Sequence, residues 1–338
     1  MDKNTITGFV LIAAVLIGFS IWSQPSAEEN AAMARQDSIN NVTRQKTEKE
    51  KKLSDNKEDA MSAPLSLKDT TALFYDALKG TDKKVILKND KIELTLGTKG
   101  ATVEKAVIKG FKDREGHKDV TLFDKNDQNL KFMLLAKETN IITSDLYFEP
   151  SAVTDSTVVM TAKDRSGKAL TLKYTLGRDY MLHMELQATN MTGLFAPSYN
   201  KMDVDWSDKC RQQEKGFTFE NRYASLTYHK TEGGTDYLSE SSEKVDEKIE
   251  DEIDWVAFKN QFFSAVMIAQ NDFDSNSLMT SVPQAKGSGY LKQYQAKMKT
   301  FFDPSGKVPS KFDFYFGPND FRLLKRVEKE CSFGKNLE

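Results

Sequence analysis

Cysteine is nearly absent from this chain: Cys210 and Cys331 are the two among 338 residues. A small fold stapled by many disulfides is therefore excluded, and the structure must rest on a hydrophobic core. A bridge between the two would need Cα atoms within about 7 Å, so the sequence leaves open whether they pair or remain separate thiols. An excess of either charge is also missing. The 48 basic and 50 acidic residues give a formal net charge of −2, which speaks against a protein whose main partner is nucleic acid. Lys49, Lys51 and Lys52 are interleaved with Glu48 and Glu50, the pattern of a solvated surface. CxxC and Cys/His metal spacings, a GxSxG elbow, a phosphate loop and a dinucleotide-binding glycine pattern are lacking, so no cofactor or metal is expected. No repeat of fixed period is evident.

One long apolar run is present, and it stands at the beginning. Ile6 to Trp22 (ITGFVLIAAVLIGFSIW) carries no charge over about 17 residues, at the short end of what a helix needs to cross a bilayer. A soluble helix of that length would show a polar stripe. Ile6, Phe9, Leu11, Leu16 and Phe19 are expected to face lipid, with Trp22 in the headgroup layer. A cleaved signal peptide is the rival reading, but its apolar core is usually shorter and Pro25 spoils most small-x-small sites after Trp22. A buried helix fits poorly at a terminus followed by a polar stretch. An uncleaved signal anchor is the preferred reading. Lys3 and the amino terminus on one side, with Glu28 and Glu29 on the other, favour an amino terminus inside and the bulk exported.

From Gln24 to about Ala63 the chain is rich in Glu, Lys, Asn and Ser, too polar to offset the entropy of ordering. As a coil of about 40 residues it would span on the order of 35 Å. A short helix is then expected, with Ser66 and Asp69 as a capping box, Leu73, Phe74, Ala77 and Leu78 on one face, and Gly80 as the stop.

From Val85 onward the period changes to two. Ile92, Leu94 and Leu96 alternate with Glu93 and Thr95, and further strands are expected at 101–108, 130–135, 157–162, 169–176 and 180–189. Gly97 to Gly100, the 164–167 segment and the 177–179 segment supply turn chemistry. Apolar stretches at 217–228, 255–269 and 312–316 continue the pattern, and the acidic run 243–254 reads as a solvated loop. Alternating βα units are missing, so antiparallel sheets packed face to face are predicted. A final helix is expected, with Gly317, Pro318 and Asn319 as the start signal, from Asp320 to about Glu330 with Phe321, Leu324 and Val327 on one face.

Candidate chemistry is thin. His117 lies in a polar loop, His183 shares a strand face with Met181 and Glu185, and His229 ends a strand; none has a metal-ligand partner at short spacing. Asp203 and Asp205 share a strand face, where surface charge is the ordinary explanation. No catalytic residue is assigned.

The opening MDKNTITGFVLIAAVLIGFSIWSQPS resembles the amino terminus of YidC-family membrane protein insertases of Bacteroidota type. NDKIELTLGTKGATVEKAVIKGF, WVAFKNQFFSAVMIA and FDFYFGPNDFRLLK are similar to stretches of that family's large periplasmic domain. The resemblance implies a β-supersandwich, galactose-mutarotase-like, with one N-terminal transmembrane helix and a short C-terminal helix. It also implies five further membrane helices that would follow Glu338, so a fragment of a longer insertase is expected. The implied function is assistance to the insertion and folding of inner-membrane proteins, without covalent chemistry. Sec translocon components, nascent membrane proteins and the lipid bilayer would be its partners. The corresponding layout is an anchor at 1–23, a tether at 24–63, a short helix and connection at 64–82, the sandwich at 83–318 and a terminal helix at 319–338. Phe321 and Leu324 are the candidates for docking to the membrane core. The alternative is an anchored periplasmic carbohydrate-binding or epimerase-like protein, for which Trp206 or Trp255 would have to form an open aromatic platform.

Overall fold

Strict alternation of apolar and polar residues becomes strands with one buried face. In a computed structural model of the chain, residues 73–238 and 243–330 are described, all within the unit Pro64–Glu338. The predicted anchor, the tether, the first part of the short helix and Cys331 lie outside the described residues. The short helix appears there as a 3-10 turn at Tyr75–Leu78. Phe74 and Ala77 are buried, Leu73 and Leu78 pack against the same core, and the Phe74 amide donates to Asp164 at 3.0 Å.

Strands β1 (Lys84–Lys88), β2 (Ile92–Gly97), β3 (Val103–Lys112) and β4 (Asp119–Asp124) form a four-stranded sheet in chain order. Then come β5 (Gln128–Leu135), β6 (Asn140–Ile142), β7 (Glu149–Ser151), β8 (Thr157–Lys163), β9 (Ala169–Leu176), β10 (Met181–Thr189) and β11 (Lys201–Arg211). A short helix, α1 (Phe217–Arg222), precedes β12 (Ser225–Lys230), β13 (Thr235–Tyr237), β14 (Val245–Ile249) and β15 (Ile253–Lys259). The chain closes its sheets with β16 (Phe263–Phe273), β17 (Ser277–Pro283), β18 (Tyr290–Phe301) and β19 (Ser310–Pro318), followed by α2 (Phe321–Glu330). A nine-stranded sheet runs β13-β12-β15-β16-β19-β10-β9-β8-β7, and a six-stranded sheet runs β14-β17-β18-β11-β5-β6. Every strand pair in the three sheets is antiparallel, as the turn-separated short strands predict.

Aromatic contacts fasten the layers. Trp206 on β11 stacks on Phe258 of β15 at 4.0 Å between ring centroids, and Phe132 on β5 meets Phe312 of β19 at 5.4 Å. Phe123 on β4 meets Phe316 of β19 edge-on at 5.3 Å. The nine-stranded sheet thus packs against both smaller sheets, and rings that each bury a large apolar area fill the space between.

Two apolar stretches are divided by local polar bonds. The first, 217–228, starts as α1, because the Glu220 carboxylate accepts the amides of Gln213 and Glu214 and folds the loop back. The second, 255–269, is broken at Asn260, whose side-chain oxygen accepts the amides of Phe262 and Phe263. The acidic run at 243–254 is not simply a loop. Its Val245–Ile249 part is β14, an edge strand paired with β17; charge on its outward positions guards the edge against pairing with another chain.

One inward strand position carries a cost. Asp208 is buried on β11, and its Oδ1 has no hydrogen-bond partner within the protein. Its register partner on β5 is Gln128, whose Oε1 is also unpartnered. Burial, with the nearby Asp127 charge, pushes the Asp208 carboxyl well above the carboxylate range. A group whose pKa is raised on folding lowers stability as pH climbs past its unfolded value, until the folded group also ionises. Asp208→Asn removes that penalty and offers Gln128 a donor. The expected outcome is a gain of about 1–3 kcal/mol at neutral pH and a flatter stability profile in acid, read by urea unfolding; a loss of stability would contradict it.

Candidate functional site

The most elaborate polar construction on the domain is the place where β19 hands over to α2. Phe316 to Asp320, the FGPND segment, makes this junction. Pro318 closes the strand opposite Phe263, a strand-end position where its missing N–H is tolerated. Gly317 is required by close approach: a Cβ there would lie 2.7 Å from the Tyr315 ring and 2.8 Å from that of Tyr180. The Tyr315 hydroxyl donates to the Pro318 carbonyl at 2.6 Å, and burial pushes its pKa far above the ordinary phenol value.

Asn319 ties the junction to the turn between β15 and β16. Its amide donates to the Phe262 carbonyl at 2.7 Å, and its side-chain nitrogen donates to the Asn260 carbonyl at 3.1 Å. Its side-chain oxygen accepts the Ser264 hydroxyl at 2.6 Å. Asp320 then caps α2 by accepting the Leu323 amide at 2.8 Å, which satisfies one of the helix's free donors. Leu323 and Leu324 are partly buried against the core, and the Arg326 guanidinium lies 3.4 Å from Asp179, which also holds Lys91. Phe321 points away and is 61% exposed, with the Lys325 ammonium 5.1 Å above its ring. The two docking candidates are therefore in different surroundings: Leu324 packs inward and Phe321 faces outward.

The histidines do not converge. His117 is exposed on the β3–β4 loop. His183 Nδ1 sits 2.5 Å from Asp313 across the β10–β19 pair, and His229 Nδ1 sits 2.9 Å from Asp254 while stacking on Trp255. In the sheet order β12 and β10 are four steps apart, or roughly 19 Å at the usual strand spacing. The two histidine–carboxylate pairs cannot act on one sugar ring. Trp206 and Trp255 are both buried, so neither offers an open platform. Asp203 bonds Lys299 and Asp205 bonds Gln295 at 2.8 Å, cross-strand pairs of the ordinary kind. Among the described residues no group of three or more His, Cys, Asp or Glu side chains is placed to hold a metal ion. Cys210 is a buried free thiol.

Sequence reasoning took Asn319, with Gly317 and Pro318, as a helix start signal and missed its role as an anchor to the β15–β16 turn. The signal that could have found it is an Asn directly after Gly-Pro and before an Asp that caps a helix.

These features define an antiparallel β domain with a helix seated on one end of its largest sheet. A family model described as the YidC periplasmic domain matches residues 84–337, and the chain belongs to that family. It is 45% identical over its whole length to a membrane protein insertase YidC of Phocaeicola vulgatus, of which it covers 54%. The chain spans about half the length of the curated relatives it matches. Among solved structures it is similar to a galactose mutarotase-like protein from Lactobacillus casei, with TM-score 0.46 and 12% identity over 70% of this chain and 100% of that one. It is also similar to the periplasmic domain of Thermotoga maritima YidC, with TM-score 0.35 and 10% identity over 73% of this chain and 89% of that one.

Two outcomes follow from the geometry. Asn319→Ala removes the side-chain bonds that hold the junction, at a cost of about 1–3 kcal/mol. Faster hydrogen exchange in the α2 amides than in the β19 amides is expected, and equal protection would deny Asn319 its anchoring role. The bond to Asp313 raises the His183 pKa above its ordinary value. The stability it adds is therefore complete below about pH 6.5 and fades as pH rises through the folded value. NMR titration of the ring should give a midpoint above that of a model histidine, and a normal midpoint would dismiss the pairing.

Proposed function

We propose that the chain is the extracytoplasmic region of a membrane protein insertase and chaperone, held in the inner membrane by a single N-terminal span at Ile6–Trp22. The observation that carries this reading is the family match over residues 84–337 together with full-length likeness to an insertase of the same family. Its substrates are nascent membrane proteins, and components of the Sec translocon are its partners. In this reading the antiparallel sheets are the family's supersandwich, and the segment 24–63 is the tether that carries it. Among the described residues no helix is long and apolar enough to cross a membrane; the proposed span lies at Ile6–Trp22, before them.

No covalent step is needed for this work. Moving a substrate's polar segment across hydrocarbon is opposed by desolvation, and a polar path through the bilayer lowers that barrier. The sandwich positions partners or contacts emerging substrate, with the junction at Phe316–Asp320 setting the direction in which the chain leaves it. Carbohydrate chemistry is the weaker reading, because the histidines stand apart and both tryptophans are buried.

Depleting the protein that carries this chain from its host should leave newly made inner-membrane proteins accessible to protease as uninserted precursors. Undiminished insertion of a panel of single- and multi-span substrates after depletion would remove the insertase reading.

A further inference from the structure

Ten large apolar side chains stand exposed on the described residues, and five of them, all aromatic, gather at one end: Phe111, Phe219, Tyr223, Phe262 and Phe321. Strand register fixes their placement. β15 ends at Lys259 and β16 begins at Phe263, so Phe262 sits on the turn at the tip of the nine-stranded sheet. The Phe262 carbonyl holds the Asn319 amide, which puts Phe321, two residues on, beside the same tip. Ser225, the first residue of β12, pairs with Lys259, so Tyr223, just before that strand, lies at this same end. The Phe219 ring packs on Tyr223 at 5.3 Å. Phe111, near the end of β3, sets its ring edge-on to Phe263 at 5.5 Å.

Exposed aromatic side chains concentrated in this way mark a contact surface. Phe rings supply the apolar area that a surface-bound anchor buries at the headgroup boundary, and the Tyr223 ring adds a hydroxyl suited to that layer. The charges beside them fit an anionic surface. α2 begins without an acidic residue in its first turn and instead carries Arg322, Lys325 and Arg326, against the usual preference of a helix start for negative charge. Two acids near the helix start are engaged: Asp320 caps the helix, and Asp179 is held by Lys91 and Arg326. Long basic side chains can lay their stems along the rings and carry their charges out to phosphates.

We propose that this aromatic end rests in the headgroup layer of an anionic phospholipid bilayer, with Arg322 and Lys325 among the phosphates. The inference rests on the reading of the chain as membrane-anchored, and its test separates the two. The full chain carrying Cys331→Ser retains Cys210, which is buried and out of reach of a label. In that background Phe111→Cys, Phe262→Cys and Phe321→Cys each receive a nitroxide, as do Val308→Cys, at the opposite end of β19, and Leu11→Cys. The protein is placed in vesicles of phosphatidylethanolamine and phosphatidylglycerol, and collision rates with oxygen and with a water-soluble nickel chelate are measured by EPR.

Labels at positions 111, 262 and 321 should favour oxygen over nickel, as the label at position 11 does, while position 308 reads as water. Thermal unfolding that matches the parent confirms that each label sits on a folded domain. Water-like collisions at the three aromatic positions, with position 11 still lipid-like, overturn the inference alone. Shielding from both reagents there also overturns it and assigns the face to a second copy of the chain. A water-like signal at position 11 overturns the anchored reading itself.

Discussion

The domain depends on one strand having neighbours on both sides. β19 is the last of the described strands and the middle one of nine, flanked by β10 and β16. Eight of its residues from Phe312 back to Ser310 and on to Pro318 are buried, with only Lys311 partly open. Phe312 and Phe316 reach from it to the six-stranded and four-stranded sheets. Without β19 the nine-stranded sheet would fall into two parts with two bare edges, and each smaller sheet would lose an aromatic contact that holds it there. Burial of these rings, at roughly 25 cal/mol per Å² of apolar area, is the term that joins three sheets into one core.

The same strand explains the rigidity of the junction. Because β19 is fixed on both sides, the Gly317–Pro318–Asn319 exit has no freedom to drift, and the side-chain bonds of Asn319 fix it further to the β15–β16 turn. The helix that follows is steered by Asp320 at its start and by Leu323, Leu324 and Arg326 along its inner side. Phe321 is left outside this arrangement. The direction of the departing chain is thus set by hydrogen bonds within the sandwich.

Much of the fold was legible in the sequence. Period-two alternation at Ile92, Leu94 and Leu96, and again at 157–162 and 169–176, located strands because each has one buried face. It failed where both faces are covered or where polar bonds cut an apolar run. Phe217 to Tyr228 is apolar enough for a strand, yet the Glu220 carboxylate, satisfied by two amides, turns its first half into a helix. β14 was hidden by its own charges, since an edge strand needs little burial. The junction was visible as the FGPND motif, while the partners of Asn319, some 55 residues and more away, were not, because sequence carries no record of which distant turn a side chain will meet. The histidine–carboxylate pairs are of the same kind: His183 and Asp313 are 130 residues apart.

A central strand that arrives last has a consequence for timing. In a chain delivered from its amino terminus, β10 and β16 wait with open edges, and no local pairing can substitute for the missing partner. The sandwich becomes one body only after residue 318 has been delivered. Closure of the nine-stranded sheet therefore waits on the most carboxy-terminal strand described, and a folded domain is itself a sign that the chain up to that strand is present.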